Sequence, residues 1–470
     1  MKKSAIAAAA LLLGCNITQP ELLPPPFGSE GRARLFFPTG LAQAPSGALL
    51  VANGNFNRAF DSGTMVALDR TYLDTLLNTD LDCDVANPAP GCNSQIPQDS
   101  KAVMIGNYAG PVALSSGQNA AFTGSRDTGI INAVRLGADG TLGCLPNAGD
   151  DAARDCRKGM IDLTAAGLEG PYAIVPGDAF LPGASSAQKV LFVSSIVPHI
   201  DSITSGIITT STSVGALSIP DPAHPDPPTT LLFQMRAASL FVAGGFGVGP
   251  MVFDPSRRRL YLGGCFQRST AFGSGEPGTG LCSGIQNNFL RIIDVDAGSA
   301  ADPQLIDLRP DVQSIYTTQL LLDTPGTPAT PSSPITTLWA TMRIPDSLVV
   351  IDLPAQPSVA PRVREVIPLP ASPADMVRID RAPSPPLVAV VAEKIGAVSI
   401  VDTSTSQVVA QIGRLGDSPY NIANIDCPAS KSGSACLAVS VFRNCRVALI
   451  EVPKNDPSRA ALRALAGSCP

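Results

Sequence analysis

Residues 373–402, PADMVRIDRAPSPPLVAVVAEKIGAVSIVD, contain the pattern that decides the fold. An apolar segment follows the proline turn at Pro373, a second segment ends in small residues at Ala392, and a third runs into Asp402. Each segment has the length of a β-strand and is separated from the next by residues that favour turns. The unit therefore predicts three consecutive strands.

The same unit recurs seven times, and such a repeat determines a fold before any other feature. The copies begin at Pro38, Gly110, Gly170, Gly249, Gln313, Pro373 and Ser418. A fourth apolar segment follows six of them, at 102–108, 158–164, 229–235, 303–309, 363–369 and 407–413. A four-stranded sheet cannot bury both faces alone, whereas sheets arranged in a ring stack on their neighbours. We predict an all-β fold, a seven-bladed β-propeller of four-stranded antiparallel blades.

In this interpretation the seventh copy has no fourth segment of its own. The stretch Arg32–Phe37 precedes the first copy and belongs to no other blade. We therefore predict that this N-terminal strand completes the last blade and closes the ring. A pair of β-sandwiches also fits the regular strand spacing, but it does not account for seven matching strand ends of the Val-x-x-Asp type.

The repeats resemble the YVTN or YncE-like family of seven-bladed propellers between residues 32 and about 452. The resemblance is carried by Leu50–Asn53, Val398–Thr403 and Gly416–Ala423. The resemblance implies the fold. Propellers that resemble this one include hydrolases, haem-binding proteins and proteins that act as partners of quinone enzymes. The chain departs from the compact family repeat by insertions at 79–101, 140–157, 219–228 and 323–335.

The N-terminus has the layout of a secretory signal. Met1-Lys2-Lys3 precedes an apolar run from Ala5 to Leu13, which is shorter than the roughly 20 residues that span a bilayer. The stretch Leu12–Cys15 resembles the lipobox of bacterial lipoproteins, which implies acylation at Cys15. The alternative is an ordinary signal in which this cysteine is incidental.

These features divide the chain into three parts and suggest a location. We predict a signal peptide at 1–14, a lipidated cysteine with a flexible tether at 15–31, and the propeller with a short disulfide-tied tail at 32–470. We expect the protein in the bacterial cell envelope, anchored by lipid at the outer membrane on its periplasmic or surface face.

The ten other cysteines fall into neighbouring couples, which in an exported chain predicts disulfides. The couples are Cys83 with Cys92, Cys144 with Cys156, Cys265 with Cys282, Cys427 with Cys436, and Cys445 with Cys469. Metal binding is the alternative, but the sequence has only two histidines and no Cys-x-x-Cys motif. We predict neither a metal nor a cofactor.

Several motifs with known chemistry do not fit their surroundings. Gly273, Gly275 and Gly278 match the dinucleotide fingerprint, but no helix pattern follows them. Asp294 and Asp296 begin like a calcium loop that lacks its distal glutamate. The net charge of −6 gives no general basic footprint, so we expect no nucleic-acid partner.

Basic residues recur in the turns between the second and third strands of the copies. They are Arg58, Arg126, His199, Arg268, Arg343, Lys394 and Arg443. In a propeller these turns share one face, so the seven side chains form a candidate ring for an anionic ligand or a carboxylate. The alternative is that charged residues simply occupy exposed turns.

These observations favour a membrane-anchored, non-catalytic binding or protein-interaction scaffold. Its expected partners are the membrane through Cys15 and either another envelope protein or a small anionic ligand. The alternative is a lactonase-like hydrolase at the channel mouth, for which the sequence offers Asp61, Asp127, His199 and Glu393. The scarcity of histidine argues against a haem protein.

Overall fold

Seven sheets, each built on antiparallel strands, form the blades of a β-propeller, as predicted, and the sheet of blade 7 carries one additional short parallel strand. The computed structural model describes residues 22–28, 31–79, 83, 92–97, 100–115, 117, 119–145, 154–159, 161–163, 168, 170–179, 188–195, 199–204, 207–211, 213–218, 231–236, 245–266, 289–296, 304–308, 311–312, 316–323, 336–354 and 359–469.

The first three blades are built from consecutive segments of the chain. Blade 1 contains β1 (Pro38–Gln43), β2 (Leu49–Asn53), β3 (Gly63–Leu68) and, after helix α1 (Arg70–Leu77) and the short strand β4 (Asn93–Ser94), β5 (Lys101–Ile105). Blade 2 contains β6 (Ala109–Leu114), β7 (Ala120–Ser125), β8 (Ile130–Leu136), β9 (Leu142–Leu145) and β10 (Ile161–Asp162). Blade 3 contains β11 (Pro171–Ala179) and β12 (Gln188–Ser195), a separate hairpin of β13 (His199–Thr204) and β14 (Ile207–Ser211), then β15 (Ser213–Ser218) and β16 (Leu231–Arg236).

The other four blades follow the same order. Blade 4 contains β17 (Gly245–Asp254), β18 (Arg259–Phe266), β19 (Phe289–Asp294) and β20 (Gln304–Asp307). Blade 5 contains β21 (Tyr316–Asp323), β22 (Thr336–Arg343), β23 (Ser347–Leu353) and β24 (Arg362–Pro368). Blade 6 contains β25 (Pro373–Ile379), β26 (Leu387–Ala392), β27 (Ala397–Asp402) and β28 (Gln407–Ile412). Blade 7 contains β29 (Pro419–Ile425), β30 (Ser434–Val441), β31 (Arg446–Pro453) and β32 (Ala461–Ala466).

The hydrophobic core is divided among the seams between neighbouring blades. Each of the seven seams holds one cluster of buried apolar side chains contributed by both blades. Trp339 of β22, for example, packs against Val388 and Val390 of β26 and is 1% exposed. Because every sheet is covered on both faces by a neighbour, the ring removes the exposed apolar face that each blade would have alone.

The predicted ring closure by residues 32–37 is wrong. The outer strand of blade 7 is the C-terminal β32, which pairs antiparallel with β31, whereas residues 32–37 contain no strand. Residues 32–37 instead bury Ala33 and Leu35 in the cluster between blades 1 and 7. The sequence of β32, ALRALA, alternates only weakly between apolar and other residues and contains Arg463. For this reason β32 does not match the pattern of the repeats.

An insertion of blade 1 fastens the ring instead. Strand β4 adds to the outer edge of β32 in parallel, and the backbone N–H groups of Leu465 and Gly467 donate to the carbonyls of Cys92 and Ser94 at 2.8 Å each. The N–H of Cys83 donates to the carbonyl of Leu462 at 3.0 Å. We call this segment, residues 83 and 92–94, the hook. It joins the first blade directly to the last strand of the chain.

Four of the five predicted disulfides are present. The bonded pairs are Cys83–Cys92, Cys144–Cys156, Cys427–Cys436 and Cys445–Cys469. Cys282 lies outside the described residues, so the couple with Cys265 stays a prediction. Cys15 and the predicted signal peptide also lie outside them. Within the described part, no helix has the length and hydropathy needed to cross a membrane.

Candidate functional site

The turns between second and third strands are held in place by a repeated backbone contact. The residue before the innermost strand of a blade adopts a left-handed conformation, with φ of 51° at Phe37 and Tyr108 and 58° at Ser372. Its carbonyl accepts a hydrogen bond from the first N–H of the turn, as Phe37 does from Gly54 at 2.9 Å. The equivalent bonds in blades 2, 6 and 7 are Arg126 to Tyr108, Glu393 to Ser372 and Phe442 to Ser418.

These contacts place the turns on one end of the ring, which we call the turn face. In the described residues it comprises the turns at 54–62, 126–129, 344–346, 393–396 and 442–445. The prediction that the basic turn residues share a face therefore holds for Arg58, Arg126, Arg343, Lys394 and Arg443. His199 begins the β13 hairpin, and Arg268 lies outside the described residues.

Three of these arginines pair with carboxylates of the same face. Arg343 donates to Glu393 at 2.8 Å and to the carbonyl of Pro373 at 3.0 Å, which joins blades 5 and 6. Looser ion pairs join Arg58 to Asp127 at 3.5 Å and Arg443 to Asp417 at 3.6 Å. Lys394 is exposed at a turn tip. Of the five basic residues that the described part of the chain places on this face, three are therefore offset by a carboxylate.

Arg126 differs from the others because it reaches towards the channel. Its guanidinium lies over the ring of Tyr172, 4.6 Å from the centroid, and donates to the hydroxyl of Tyr420 at 3.2 Å. The two tyrosines occupy equivalent positions, the second residue of the innermost strand in blades 3 and 7. A cation over an aromatic face contributes about 0.5–2 kcal/mol. The three side chains thus bridge blades 2, 3 and 7 at the mouth.

An aromatic patch lies beside this bridge. It consists of half-buried side chains from blades 1, 2 and 7, namely Phe37, Phe56, Tyr108, Tyr420 and Phe442. Phe56 contacts Tyr108 and Phe442 with ring centroids 4.7 and 4.9 Å apart. Arg58 covers Tyr108 at 5.3 Å. These aromatics come from three blades and do not recur in every repeat, so the repeat pattern alone does not reveal them.

Below the mouth, polar side chains link the innermost strands of four consecutive blades. The Asp375 carboxylate accepts from the side chain of Gln319 at 2.7 Å, from the N–H of Ile422 at 3.0 Å, and from the side chain of Asn421. Asn421 in turn accepts from the N–H of Leu41 at 2.7 Å. We call this chain of contacts through blades 5, 6, 7 and 1 the channel belt. The available signal was a polar residue at the third position of two first strands, Asp375 and Asn421, and at the fourth position of another, Gln319.

The belt contains the most deeply buried carboxylate of the site. Burial raises the pKa of Asp375, and hydrogen bonds from Ile422, Gln319, Met376 and Asn421 act in the opposite direction. All four partners are donors, so they satisfy the ionised carboxylate. Burial likewise raises the pKa of Asp127 at the face, against the charge of Arg58.

The turn face also carries exposed aliphatic side chains. Ile344 is 67% exposed, Ile395 is 43% exposed, and Leu22 and Leu23 beside the blade 1 turn are 60% and 38% exposed. The carbonyl of Leu22 accepts from the N–H of Asp61 at 3.0 Å, which fixes this segment to the turn. We call these four residues the aliphatic tips.

Ile344 is strained as well as exposed. Its φ is 62°, a region in which a β-branched residue costs on the order of 1–3 kcal/mol. A side chain that gains nothing from burial and strains its backbone suggests a use outside folding.

The carboxylates proposed for a hydrolase are tied to arginines. Asp61 pairs with Arg157 at 3.3 Å. Glu393 is paired with Arg343, and Asp127 is paired with Arg58. No group of three or more histidine, cysteine or acidic residues arranged to hold a metal occurs in the described part of the chain.

The fold and the mouth define a seven-bladed β-propeller with aromatic and arginine side chains at one end. No protein-family model matches the sequence, and no curated protein matches it. Solved structures that share the fold include hydrazine synthase from Kuenenia stuttgartiensis, at 11% identity and TM-score 0.49, covering 90% of this chain and 97% of that one.

Two further structures share the architecture. A β-propeller domain from Myceliophteria thermophila has 10% identity and a TM-score of 0.48, covering 89% of this chain and 98% of its own. A putative 6-phosphogluconolactonase from Bacteroides uniformis has 14% identity and a TM-score of 0.41, covering 78% of this chain and 82% of its own. At such identities the likeness concerns the fold alone.

Proposed function

We propose that the chain is a membrane-anchored, non-catalytic binding scaffold in the cell envelope, with the turn face as its contact surface. The observation that carries the proposal is the aromatic patch with its arginines. Aromatic side chains and arginine are enriched in interfaces because they combine large apolar area with polar ends. The partner classes are another envelope component or, at Arg126, a small anion.

The pairing of the arginines supports a surface rather than a deep anion pocket. Arg58, Arg343 and Arg443 each face a carboxylate, which offsets their charge. Arg126 is oriented by Tyr172 and Tyr420 from two other blades. Rigid side chains lose little conformational entropy when a partner binds, so a closed ring of blades is well suited to present them.

The contact surface is tested by the accessibility of introduced thiols. Ala59→Cys lies at the exposed tip of a turn on the turn face, and Thr405→Cys lies at the opposite end of blade 6. In isolated cell envelopes, we expect maleimide to react with position 59 at least about fivefold more slowly than in detergent, because a contact excludes the reagent. Position 405 serves as the control and should react at the same rate in both.

Two outcomes would count against this proposal. Equal reactivity of the two positions in envelopes would show that the turn face is not covered. Turnover of a lactone by the purified protein, lost in Asp127→Asn, would instead favour the hydrolase, since Asp127 is the face carboxylate whose pKa burial raises.

The anchor is tested separately at Cys15. We expect the wild-type protein to incorporate labelled fatty acid and to stay in the membrane pellet after an alkaline wash. The exported Cys15→Ser variant should incorporate none and be extracted, because several acyl chains are needed for anchoring that resists washing. Fatty-acid incorporation in the variant, or its absence in the wild type, would contradict lipidation at Cys15.

A further inference from the structure

The aliphatic tips are concentrated on one end of the molecule. Seven large aliphatic side chains of the described residues are substantially exposed: Leu22, Leu23, Ile344, Val359, Val366, Ile395 and Val408. Leu22, Leu23, Ile344 and Ile395 belong to the turn face. The other three lie on outer strands or towards the opposite end. Isolated exposed aliphatics are ordinary, but Ile344 and Ile395 lie in equivalent turns of two adjacent blades, on the same end of the ring.

The chain leaves the propeller at the same end. Leu22 is bonded to Asp61 in the blade 1 turn, and Cys15 precedes it by only seven residues. Seven residues reach at most about 25 Å when fully extended. A lipid on Cys15 would therefore hold the turn face, rather than the opposite end, close to the bilayer.

We infer that the turn face docks on the lipid bilayer, with the aliphatic tips inserted among the headgroups and the aromatic patch at the interface. The inference rests on the proposed function for its orientation and names the bilayer as the partner of that face. Aromatic side chains are favoured at membrane interfaces, and apolar tips gain by leaving water.

The charges of the face determine the kind of binding. The turn face carries the basic residues Arg58, Arg126, Arg343, Lys394 and Arg443 and the acidic residues Asp61, Asp127, Asp346, Glu393 and Asp417, so it offers little net positive charge to anionic lipid. Insertion of apolar side chains therefore drives the contact, and salt has little effect on it. This distinguishes the site from a polybasic membrane surface, whose binding falls steeply with ionic strength.

The test uses vesicles and the exported Cys15→Ser protein, so that no acyl chain contributes. It should sediment with phosphatidylcholine vesicles and with vesicles containing phosphatidylglycerol, and about 0.5 M NaCl should change the partition coefficient less than about twofold. Adding Ile344→Asn and Ile395→Ser should lower that coefficient at least about tenfold, because each isoleucine buries apolar area. Asparagine tolerates the left-handed backbone at position 344, so the fold should be retained.

The matched control is Val359→Ser with Val408→Ser, which removes aliphatics that are 48% and 38% exposed away from the turn face. It should leave vesicle binding within about twofold of the parent, since neither side chain faces the bilayer. Equal losses in the two double variants, or no sedimentation of the Cys15→Ser protein, would overturn the inference. So would binding that salt abolishes and the isoleucine substitutions do not change.

Failure of the inference and failure of the anchor give different results. A wild-type protein that is acylated while Cys15→Ser ignores vesicles refutes docking and leaves the anchor intact. A protein that is not acylated but sediments through its isoleucines refutes the anchor and supports docking. A turn face that is covered in envelopes without any affinity for vesicles indicates a protein partner and also refutes docking.

Discussion

Replacing Asp375 with alanine is expected to lower the free energy of unfolding by about 3–5 kcal/mol. The substitution leaves the N–H groups of Met376 and Ile422 and the side chains of Gln319 and Asn421 without their shared acceptor. Each buried donor that loses its partner costs about 1–3 kcal/mol. Denaturant unfolding, followed by fluorescence of the buried Trp339, measures the change.

Two variants make this result interpretable. Asp380→Ala removes an exposed carboxylate next to the same strand and should change the stability by less than about 0.5 kcal/mol. Asp375→Asn keeps one acceptor oxygen and should fall between alanine and the wild type. A loss for Asp375→Ala no larger than for Asp380→Ala would show that the channel belt contributes little to stability.

The pH dependence of stability gives a second readout on the same residue. Because burial raises the pKa of Asp375 in the folded state, the folded protein holds this proton more tightly than the unfolded chain. The contribution of Asp375 to stability therefore declines as the pH rises from about 4 through the raised pKa. The stability difference between wild type and Asp375→Asn should shrink over that window.

Removing the Cys83–Cys92 disulfide with a double alanine substitution is expected to cost about 2–3 kcal/mol. The bond closes a short loop, and its loss frees the hook that lies against β32. The amides of Leu465 and Gly467, which donate to the hook, should then exchange with deuterium much faster. Hydrogen exchange measured by mass spectrometry on the C-terminal peptide detects this opening.

The Cys144–Cys156 disulfide supplies the matched control. It closes a loop of similar length, and neither of its cysteines contacts β32. Its removal should give a comparable loss of stability with unchanged exchange at Leu465 and Gly467. If both double variants opened the C-terminal strand equally, the hook would have no special part in closing the ring.

Much of the fold was predictable because every blade of a propeller must meet the same packing requirement, so the same sequence pattern recurs in every repeat. Each blade needs apolar strands of similar length for the seams, so seven copies of one pattern specified seven sheets. The fourth strand of blade 7 was not predictable, because β32 lies beyond the last repeat and carries Arg463, whereas Arg32–Phe37 looks more like a strand. The pairing of β4 with β32 depends on a contact across almost the whole sequence.

The candidate site was predictable only in part. The repeat places Arg58, Arg343 and Arg443 on one face, because turns of equivalent position meet at one end of a ring. Their carboxylate partners come from neighbouring blades or from connections before the inner strand, and spacing along the chain does not reveal them. Arg126 and Tyr420 are 294 residues apart in the sequence, and their contact becomes apparent only in the closed ring.

The hook also has a consequence for the order in which the protein is made. The hook residues 83 and 92–94 leave the ribosome well before their partners at 462–467. A growing chain, or one shortened at its C-terminus, therefore keeps an open edge on blade 7 and an unpaired segment on blade 1, both of which invite wrong strand pairing. Completion of the ring thus requires that the chain has been made as far as residues 462–467, and products truncated before them remain recognisable to proteases.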